Sequence, residues 1–326
     1  MIRLLTFALA AALCADPPVK SIAPSTAAST PSTATQPSAS SPAKSALETV
    51  AFVGASATAG FGVVAKVENH SPSVVAVPFA ASFAAVVSSP IAAYDLGSPF
   101  FFMSPGSTGR SLVDRAIEKK PTLVVGIDFL FWYVYGDDDG HGGPLRHELD
   151  RLKKLELGFR ELERFDPSVP IVVGDIPDMS RAVGKMISRT QLPQPDTQKQ
   201  ANDRIRAWVT KRGNAIVFPL AQLVDELKGD QPIVACGVTF ANDKGKLIQS
   251  DDLHPTLRGS LALAMKLADL MVDGRIADKS ALAPTDEAAA AKRQSEAAAK
   301  LHELRSGRSA DAPKPPASAP ADSAAK

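Results

Sequence analysis

Cysteine is nearly absent from this chain: of 326 residues, only Cys14 and Cys236 are cysteines. This scarcity excludes a disulfide framework and a cysteine-rich zinc module. Neither sign of charge predominates, because 36 Lys and Arg residues face 35 Asp and Glu residues, for a net charge of +1. The balance gives no support to a nucleic-acid binder that depends on phosphate neutralisation, or to a protein held on anionic membranes by a polybasic patch.

The apolar run near the N-terminus is short. It covers residues 4–14, follows Arg3 and ends before Asp16, whereas a membrane-spanning helix needs about 20 apolar residues. Residues 1–15 are therefore predicted to be a secretory signal peptide, with a misplaced start or a buried helix as alternatives. Cys14 could instead be the acylated cysteine of a lipoprotein, although Leu13 stands where a small residue is expected. The prediction is a secreted or periplasmic protein.

Both ends of the chain are low in complexity. Residues 16–47 are almost wholly Pro, Ser, Thr and Ala, which lack the apolar side chains needed to offset chain entropy. We expect a disordered linker that could tether the protein to a cell envelope. Residues 279–326 are predicted to form a frayed helix rich in Ala, Lys and Glu, then a disordered Pro/Ala-rich tail, with no chemistry.

Residues 48–278 are predicted to form the folded domain, because short runs rich in Val and Ile alternate there with helical periods. Strands are predicted at residues 49–54, 123–127, 171–175 and 215–218. Helices are predicted at residues 79–88, 111–119, 145–165, 198–212, 220–228 and 255–271. This alternation predicts an α/β three-layer sandwich, with a mainly parallel central sheet and helices on both faces. Ligand sites in such sheets lie at the carboxyl ends of the strands.

The loop after the first strand carries a serine between glycines. Residues 54–60 read GASATAG, and the flanking glycines allow a sharp turn that leaves the Ser56 hydroxyl open to a ligand. The backbone N–H groups of such a turn can face developing negative charge. A purely structural turn or a phosphate cradle is also consistent with this composition, although the segment lacks the Walker and dinucleotide-binding patterns.

A histidine with acidic neighbours lies near the end of the domain. Residues 251–255 read DDLHP, and Pro255 suits the first turn of the following helix. A carboxylate at Asp251 can fold back to accept the Nδ1 proton of His254, which leaves Nε2 free to act as a base. A helix-capping loop with a solvated histidine is the structural alternative. The two signals meet only if the first and last elements of the domain are neighbours.

These segments resemble the SGNH, or GDSL, hydrolase superfamily. The first block of that family is similar to residues 54–60, and its last block, Asp-x-x-His-Pro, is similar to residues 251–255. The Gly-x-x-Gly turn of its second block resembles residues 106–109, which read GSTG. Its third block, Gly-x-Asn-Asp, corresponds to residues 126–129, which read GIDF. The resemblance covers nearly all of the predicted domain in order and spacing.

What the resemblance implies is a serine esterase with an acyl-enzyme. Ser56 would be the nucleophile, His254 the general base and then acid, and Asp251 the orienting carboxylate, with Asp252 as its competitor. The backbone N–H groups of Ser56 and Gly109 would hold the oxyanion.

Two residues depart from the family pattern. Ala55 replaces the acid beside the nucleophile, and Asp128 replaces the Asn whose side chain is the third oxyanion donor. An ionised carboxylate cannot donate, and losing one donor costs about 10²–10³ in rate. Three outcomes remain open for Asp128: it is protonated and donates, it turns away so that two backbone donors suffice, or the site is weak or silent.

Two further segments invite a functional interpretation. Residues 137–141 read DDDGH and could bind a divalent cation, but they lack a calcium-loop spacing, so a solvated acidic loop is favoured and no metal is expected. The aromatic runs could line an acyl or sugar pocket or pack on the core; they comprise Phe100–Phe102 with Met103, and Phe129, Phe131, Trp132, Tyr133 and Tyr135.

The function predicted from the sequence is hydrolysis of a carboxylic ester, whether a simple acyl ester, a lipid or an O-acetylated sugar, without a cofactor. The rival is a binding or scaffold protein of the cell envelope that has kept the fold and lost catalysis, motivated by Ala55 and Asp128. A phosphate- or nucleotide-binding domain is disfavoured because no Lys or Arg lies near Ser56 in the sequence to meet phosphate charge. No oligomeric state follows from the residues.

Overall fold

A parallel five-stranded sheet forms the centre of the fold. The computed structural model describes residues 46–139, 143–243, 246–283 and 286–307, so the predicted signal peptide, Cys14, most of the predicted linker and the final tail lie outside the described residues. The strands are β1 (Thr49–Gly54), β2 (Val64–Lys66), β3 (Val74–Ala76), β4 (Ala92–Gly97), β5 (Leu123–Gly126), β6 (Ile171–Gly174), β7 (Ala215–Phe218), β8 (Ile233–Ala235) and β9 (Val238–Phe240). The central sheet has the order β4-β1-β5-β6-β7, with every neighbouring pair parallel.

Helices cover the sheet in two groups. They are α1 (Ser56–Ala59), α2 (Phe79–Ala84), α3 (Pro105–Glu118), α4 (Phe131–Val134), α5 (Asp150–Leu162), α6 (Pro195–Arg212), α7 (Leu220–Lys228), α8 (Leu257–Asp273) and α9 (Glu287–Arg305). Helices α3, α5 and α6 contact one another in series, and helices α2, α8 and α9 form a second set of contacts. The α/β sandwich with a mainly parallel sheet is thus confirmed. None of the helices in the described ranges is both long enough and apolar enough to cross a membrane.

Three of the predicted strands, β1, β5 and β6, lie inside the sheet and are buried on both faces, whereas β7 is only partly buried at the sheet edge. In β5 and β6 every residue is buried, and β1 is buried from its second residue onward. Continuous apolar runs are typical of such strands. The sequence did not predict β4, whose residues AAYDLG lack a Val/Ile run and lie partly exposed at the sheet edge. Nor did it predict the short antiparallel pairs β2–β3 and β8–β9.

The C-terminal helix α9 is packed against the domain, which corrects the expectation of a frayed helix. It contacts α2, α8 and the β2–β3 pair. Gln294 is fully buried and donates hydrogen bonds to the Ser82 hydroxyl at 2.7 Å and to the Leu257 carbonyl at 3.2 Å. The buried face otherwise consists of alanines. These small side chains allow a close approach between helices without producing the apolar stripe that a sequence pattern would reveal.

Candidate active site

A chain of hydrogen bonds joins three side chains from opposite ends of the domain. The Ser56 hydroxyl lies 2.8 Å from His254 Nε2, and His254 Nδ1 lies 2.7 Å from Asp251 Oδ2. Ser56 begins α1, directly after β1, whereas Asp251 and His254 lie in the loop before α8. Tertiary folding therefore brings together residues that are 198 positions apart, at the carboxyl end of the sheet.

The serine turn is shaped by glycines at both of its ends. A Cβ on Gly54 would lie 2.1 Å from Asp128 Oδ1, so only glycine leaves room for that carboxylate. Gly60 ends α1 in the left-handed conformation, with φ of 72°, and a Cβ there would lie 2.1 Å from the Val77 carbonyl oxygen. Side chains at either position would displace the turn that presents Ser56.

Asp128 holds the serine turn from inside the protein. Its Oδ1 accepts hydrogen bonds from the Ala55 N–H at 2.9 Å and the Thr58 hydroxyl at 2.5 Å. Its Oδ2 accepts from the N–H groups of Ala57 at 2.9 Å and Thr58 at 3.1 Å. Burial raises the pKa of Asp128, while these four hydrogen bonds oppose the rise. Both carboxyl oxygens are engaged by the turn, as in the expected outcome in which Asp128 turns away from the oxyanion. Its place as an oxyanion donor stays a prediction that this geometry does not support.

One backbone donor of the turn remains free. In the described part of the chain, the Ser56 N–H has no hydrogen-bond acceptor, whereas the N–H groups of Ala55, Ala57 and Thr58 are taken by Asp128. The first N–H groups of a helix have no partner within the helix. The Ser56 N–H is therefore available to an oxygen that develops negative charge next to its own side chain.

Gly109 lies in a different setting from the one predicted. Residues 106–109 were expected to form a turn ahead of a helix, but α3 begins at Pro105 and includes them. The buried Gly109 faces Tyr133, whose hydroxyl would lie 2.0 Å from a Cβ at this position. Gly109 is not part of the lining of the cavity beside Ser56. Its role as a second oxyanion donor stays a prediction that this geometry does not support.

The histidine is held by Asp251 and not by its neighbour Asp252. Besides the ring contact, Asp251 Oδ1 accepts hydrogen bonds from the Leu253 N–H at 2.9 Å and the His254 N–H at 3.0 Å. Burial raises the pKa of Asp251, but these bonds and the His254 ring outweigh burial and hold it below the usual 3.8. With Nδ1–H directed at a carboxylate, Nε2 is left to accept the Ser56 proton.

Asp252 points away from the His254 ring and links the loop to two cationic side chains of another segment. Its backbone is left-handed, with φ of 56°, and its carboxylate pairs with Lys185 and, at 3.2 Å, with Arg181. Both cations follow β6 in the chain. The sequence contained no signal for this pairing, because long-range partners of exposed charges leave no local pattern.

Phe61 is a site residue that the sequence analysis missed. Its ring centroid lies 4.8 Å from that of His254, and the side chain is 43% exposed. The His254 ring, in contrast, is only 2% exposed. Phe61 therefore shields one face of the imidazole from water. The available sequence signal was its position between Gly60 and Gly62, because a large apolar side chain in a glycine-rich turn indicates a contact that holds it there.

The other predicted candidates contribute little to the site. Phe131 lines the cavity beside Ser56, whereas Tyr133 and Tyr135 are buried in the core. In the acidic loop, Asp138 pairs with the fully buried Lys154, and residues 140–142 lie outside the described residues. Within the described ranges, no group of three or more His, Cys, Asp or Glu side chains could hold a metal ion.

Comparisons with known proteins give a distant structural likeness. No family model matches the chain, and no curated protein matches it. Among solved structures, a gut microbial diltiazem-metabolizing enzyme is similar with a TM-score of 0.43 and 14% sequence identity, over 68% of this chain. The chain spans 46% of the length of that enzyme. At this level of similarity the match carries no argument about activity.

Proposed function

We propose that this protein is a serine hydrolase of the SGNH type that cleaves carboxylic esters. The observation that carries the proposal is the continuous contact from Ser56 Oγ through the His254 ring to Asp251, at 2.8 and 2.7 Å. An alcohol, an imidazole and a carboxylate in this order form the constellation that activates a serine for attack on an acyl carbon. The resemblance of residues 54–60 and 251–255 to the family blocks supports the same conclusion.

The proposed reaction proceeds in two steps. Ser56 Oγ attacks the carbonyl carbon while His254 Nε2 takes its proton, and Asp251 stabilises the resulting imidazolium. The negative oxygen of the tetrahedral intermediate accepts from the Ser56 N–H. The ester C–O bond then breaks, and the alcohol leaves with the proton from His254. A water molecule, deprotonated by His254, then attacks the acyl carbon. The bond between this carbon and Ser56 Oγ breaks, and His254 returns the proton to Ser56 as the acid leaves.

A fluorophosphonate probe tests this proposal. We expect the purified protein to be labelled at Ser56 and to hydrolyse p-nitrophenyl acetate, and we expect Ser56→Ala to lose both, by about 10⁴-fold or more in turnover. Ser73→Ala is a matched control, because Ser73 is exposed and lies outside the site. A protein that neither labels nor cleaves the acetate would contradict the proposal.

The second candidate function is a binding or scaffold protein without catalysis. The observation in its favour is the small number of donors for an oxyanion. Asp128 accepts hydrogen bonds from the serine turn, and the free donor identified among the described residues is the Ser56 N–H. A missing donor costs about 10²–10³ in rate. This candidate predicts that Ser56→Ala leaves the biological phenotype unchanged.

We also propose that the protein is exported and held near a cell envelope. Support comes only from residues 1–15 and the linker that follows them. Mass spectrometry of the N-terminus of the mature protein tests this proposal. A new N-terminus near residue 15 supports secretion, a lipid-modified Cys14 supports a lipoprotein, and an intact Met1 contradicts both.

A further inference from the structure

A narrow cavity opens beside the Ser56 hydroxyl and the His254 ring. Its volume is about 40 Å³. It lies where the segments that follow β1, β5, β6 and β7 meet at the carboxyl end of the sheet. Its apolar lining includes Ile127, Phe131, Met179, Leu220, Val224 and Leu227.

The polar groups in the lining leave no charge free for a ligand. Ser56 and His254 belong to the proposed catalytic chain, and the third polar residue is Asp128. Both Asp128 oxygens already accept two hydrogen bonds each from the serine turn. Among the residues that the structure describes, no lysine or arginine lines the cavity. The part of a substrate that enters must therefore be uncharged and apolar, since an unpaired polar group would be left unsatisfied there.

Most of the apolar side chains that line the cavity are buried. Leu220, Val224 and Leu227 are at most 6% exposed, and Met179 and Ile127 are at most 3% exposed. An apolar cavity beside the Ser56 hydroxyl suits a group that ends in a methyl, as an acyl chain does. The alcohol of an ester must leave after the first step, and it needs an open path to solvent.

Resting on the proposed function, we infer that the site selects esters with short acyl groups and that helix α7 is the wall that limits the length of the acyl chain. A cavity needs about 10–15 Å³ to hold one water molecule. A volume of about 40 Å³ therefore admits about three heavy atoms of a substrate. This corresponds to acyl chains of about two to four carbons. Sugars, phosphates and long lipid chains do not fit such a space.

One face of α7 forms the limiting wall. Leu220, Val224 and Leu227 are spaced at i, i+4 and i+7, which places them on one side of the helix, and Leu227 lies about 10 Å along the axis from Leu220. Leu223 belongs to the same helix and is 2% exposed, yet it does not line the cavity. Helix α7 thus offers a matched pair: Leu227 lines the cavity, and the similarly buried Leu223 does not.

The test is a series of p-nitrophenyl esters from acetate to octanoate, measured as kcat/KM on the full-length protein. We expect acetate to butyrate to exceed octanoate by at least about tenfold, since even one methylene changes rate by about 10–200-fold in a tight apolar pocket. Leu227→Ala should move the preference towards hexanoate and octanoate. Leu223→Ala, the matched control, should lose similar thermal stability and keep the wild-type profile.

The possible failures are distinguishable. Octanoate turned over as fast as acetate by the wild type, or equal shifts in the two leucine variants, would overturn the acyl-length inference and leave the hydrolase proposal standing. Selectivity that follows the alcohol in a matched series of acetate esters would assign the cavity to the leaving group and also overturn it. Absence of both fluorophosphonate labelling and ester cleavage would overturn the proposed function and this inference together.

Discussion

The two loops that meet at the proposed active site are held in opposite ways. The Ser56 turn is fastened from the interior by one carboxylate, Asp128, which is 6% exposed and receives all four of its hydrogen bonds from residues 55–58. The His254 loop is fastened by two carboxylates nearer the surface. Asp251 bonds within its own loop, and Asp252 reaches the solvent-exposed Arg181 and Lys185.

Because of this difference, we expect substitutions in the two loops to lower the free energy of unfolding by different amounts. Water cannot replace a lost acceptor behind the serine turn, so each stranded donor carries its full desolvation penalty. At the histidine loop, Arg181 and Lys185 are 59% and 43% exposed, so water and counterions weaken their pairing with Asp252. Exposed ion pairs contribute about 0–1 kcal/mol. Replacing each of the three aspartates by asparagine makes the same chemical change in the two settings, and the predicted effects on the free energy of unfolding decrease in the order that follows.

Asp128→Asn should have the largest effect. An amide nitrogen cannot accept, so two of the four donors lose their acceptor in a buried place. We expect a loss of about 3 kcal/mol in the free energy of unfolding in urea. We also expect a loss of about tenfold or more in kcat/KM, because the Ser56 hydroxyl loses its position.

This result would distinguish two views of residue 128. If residue 128 were an oxyanion donor, as its resemblance to the SGNH pattern implies, asparagine would raise turnover. A more active Asp128→Asn enzyme of unchanged stability would therefore refute the anchoring role. Thr58→Val is a useful companion, since it removes one of the four donors to Asp128 and leaves the Ser56 and His254 side chains untouched.

Asp251→Asn should have an intermediate effect on stability and a large one on activity. We expect about 1 kcal/mol less stability, because the local N–H groups keep one oxygen acceptor. The fall in kcat should be about 10²–10⁴-fold, since an amide does not stabilise the imidazolium or fix its tautomer. Equal activity of this variant and the wild type would remove Asp251 from the proposed mechanism.

The pH dependence of stability tests Asp251 independently of catalysis. Its pKa is lowered in the folded protein, so the folded state binds fewer protons than the unfolded chain. The contribution of the carboxylate is complete above the unfolded pKa of about 3.9, and it is lost as pH falls through the lower folded value. The difference in unfolding free energy between the wild type and Asp251→Asn should narrow from about pH 6 to about pH 3.

Asp252→Asn should have the smallest effect. Asparagine tolerates the left-handed backbone at this position, so only the pairing of this partly buried carboxylate with the exposed Arg181 and Lys185 is lost. We expect a change of about 0.5 kcal/mol or less that vanishes in high salt, and kcat/KM within about threefold of the wild type. A loss as large as that of Asp128→Asn would break the contrast between the two loops.

Local patterns in the sequence predicted the elements that carry their own signal. Strand β1 and helix α7 have the predicted bounds, 49–54 and 220–228. The Val/Ile runs of the central strands are diagnostic because both faces are buried. The edge strand β4 and the packing of α9 were missed, since a half-exposed strand and an alanine face leave weak patterns.

The sequence alone determined the fold class, and it singled out the serine, histidine and aspartate of the proposed site, because strand periodicity, glycine turns and short motifs are properties of neighbouring residues. Only the tertiary structure decided how these groups meet, that Asp128 turns towards the serine turn, that Asp252 turns away from the ring, and that Gly109 faces Tyr133. Those outcomes depend on contacts between residues tens to hundreds of positions apart. Burial and hydrogen-bond geometry determine these contacts, and neither can be predicted from a short run of neighbouring side chains.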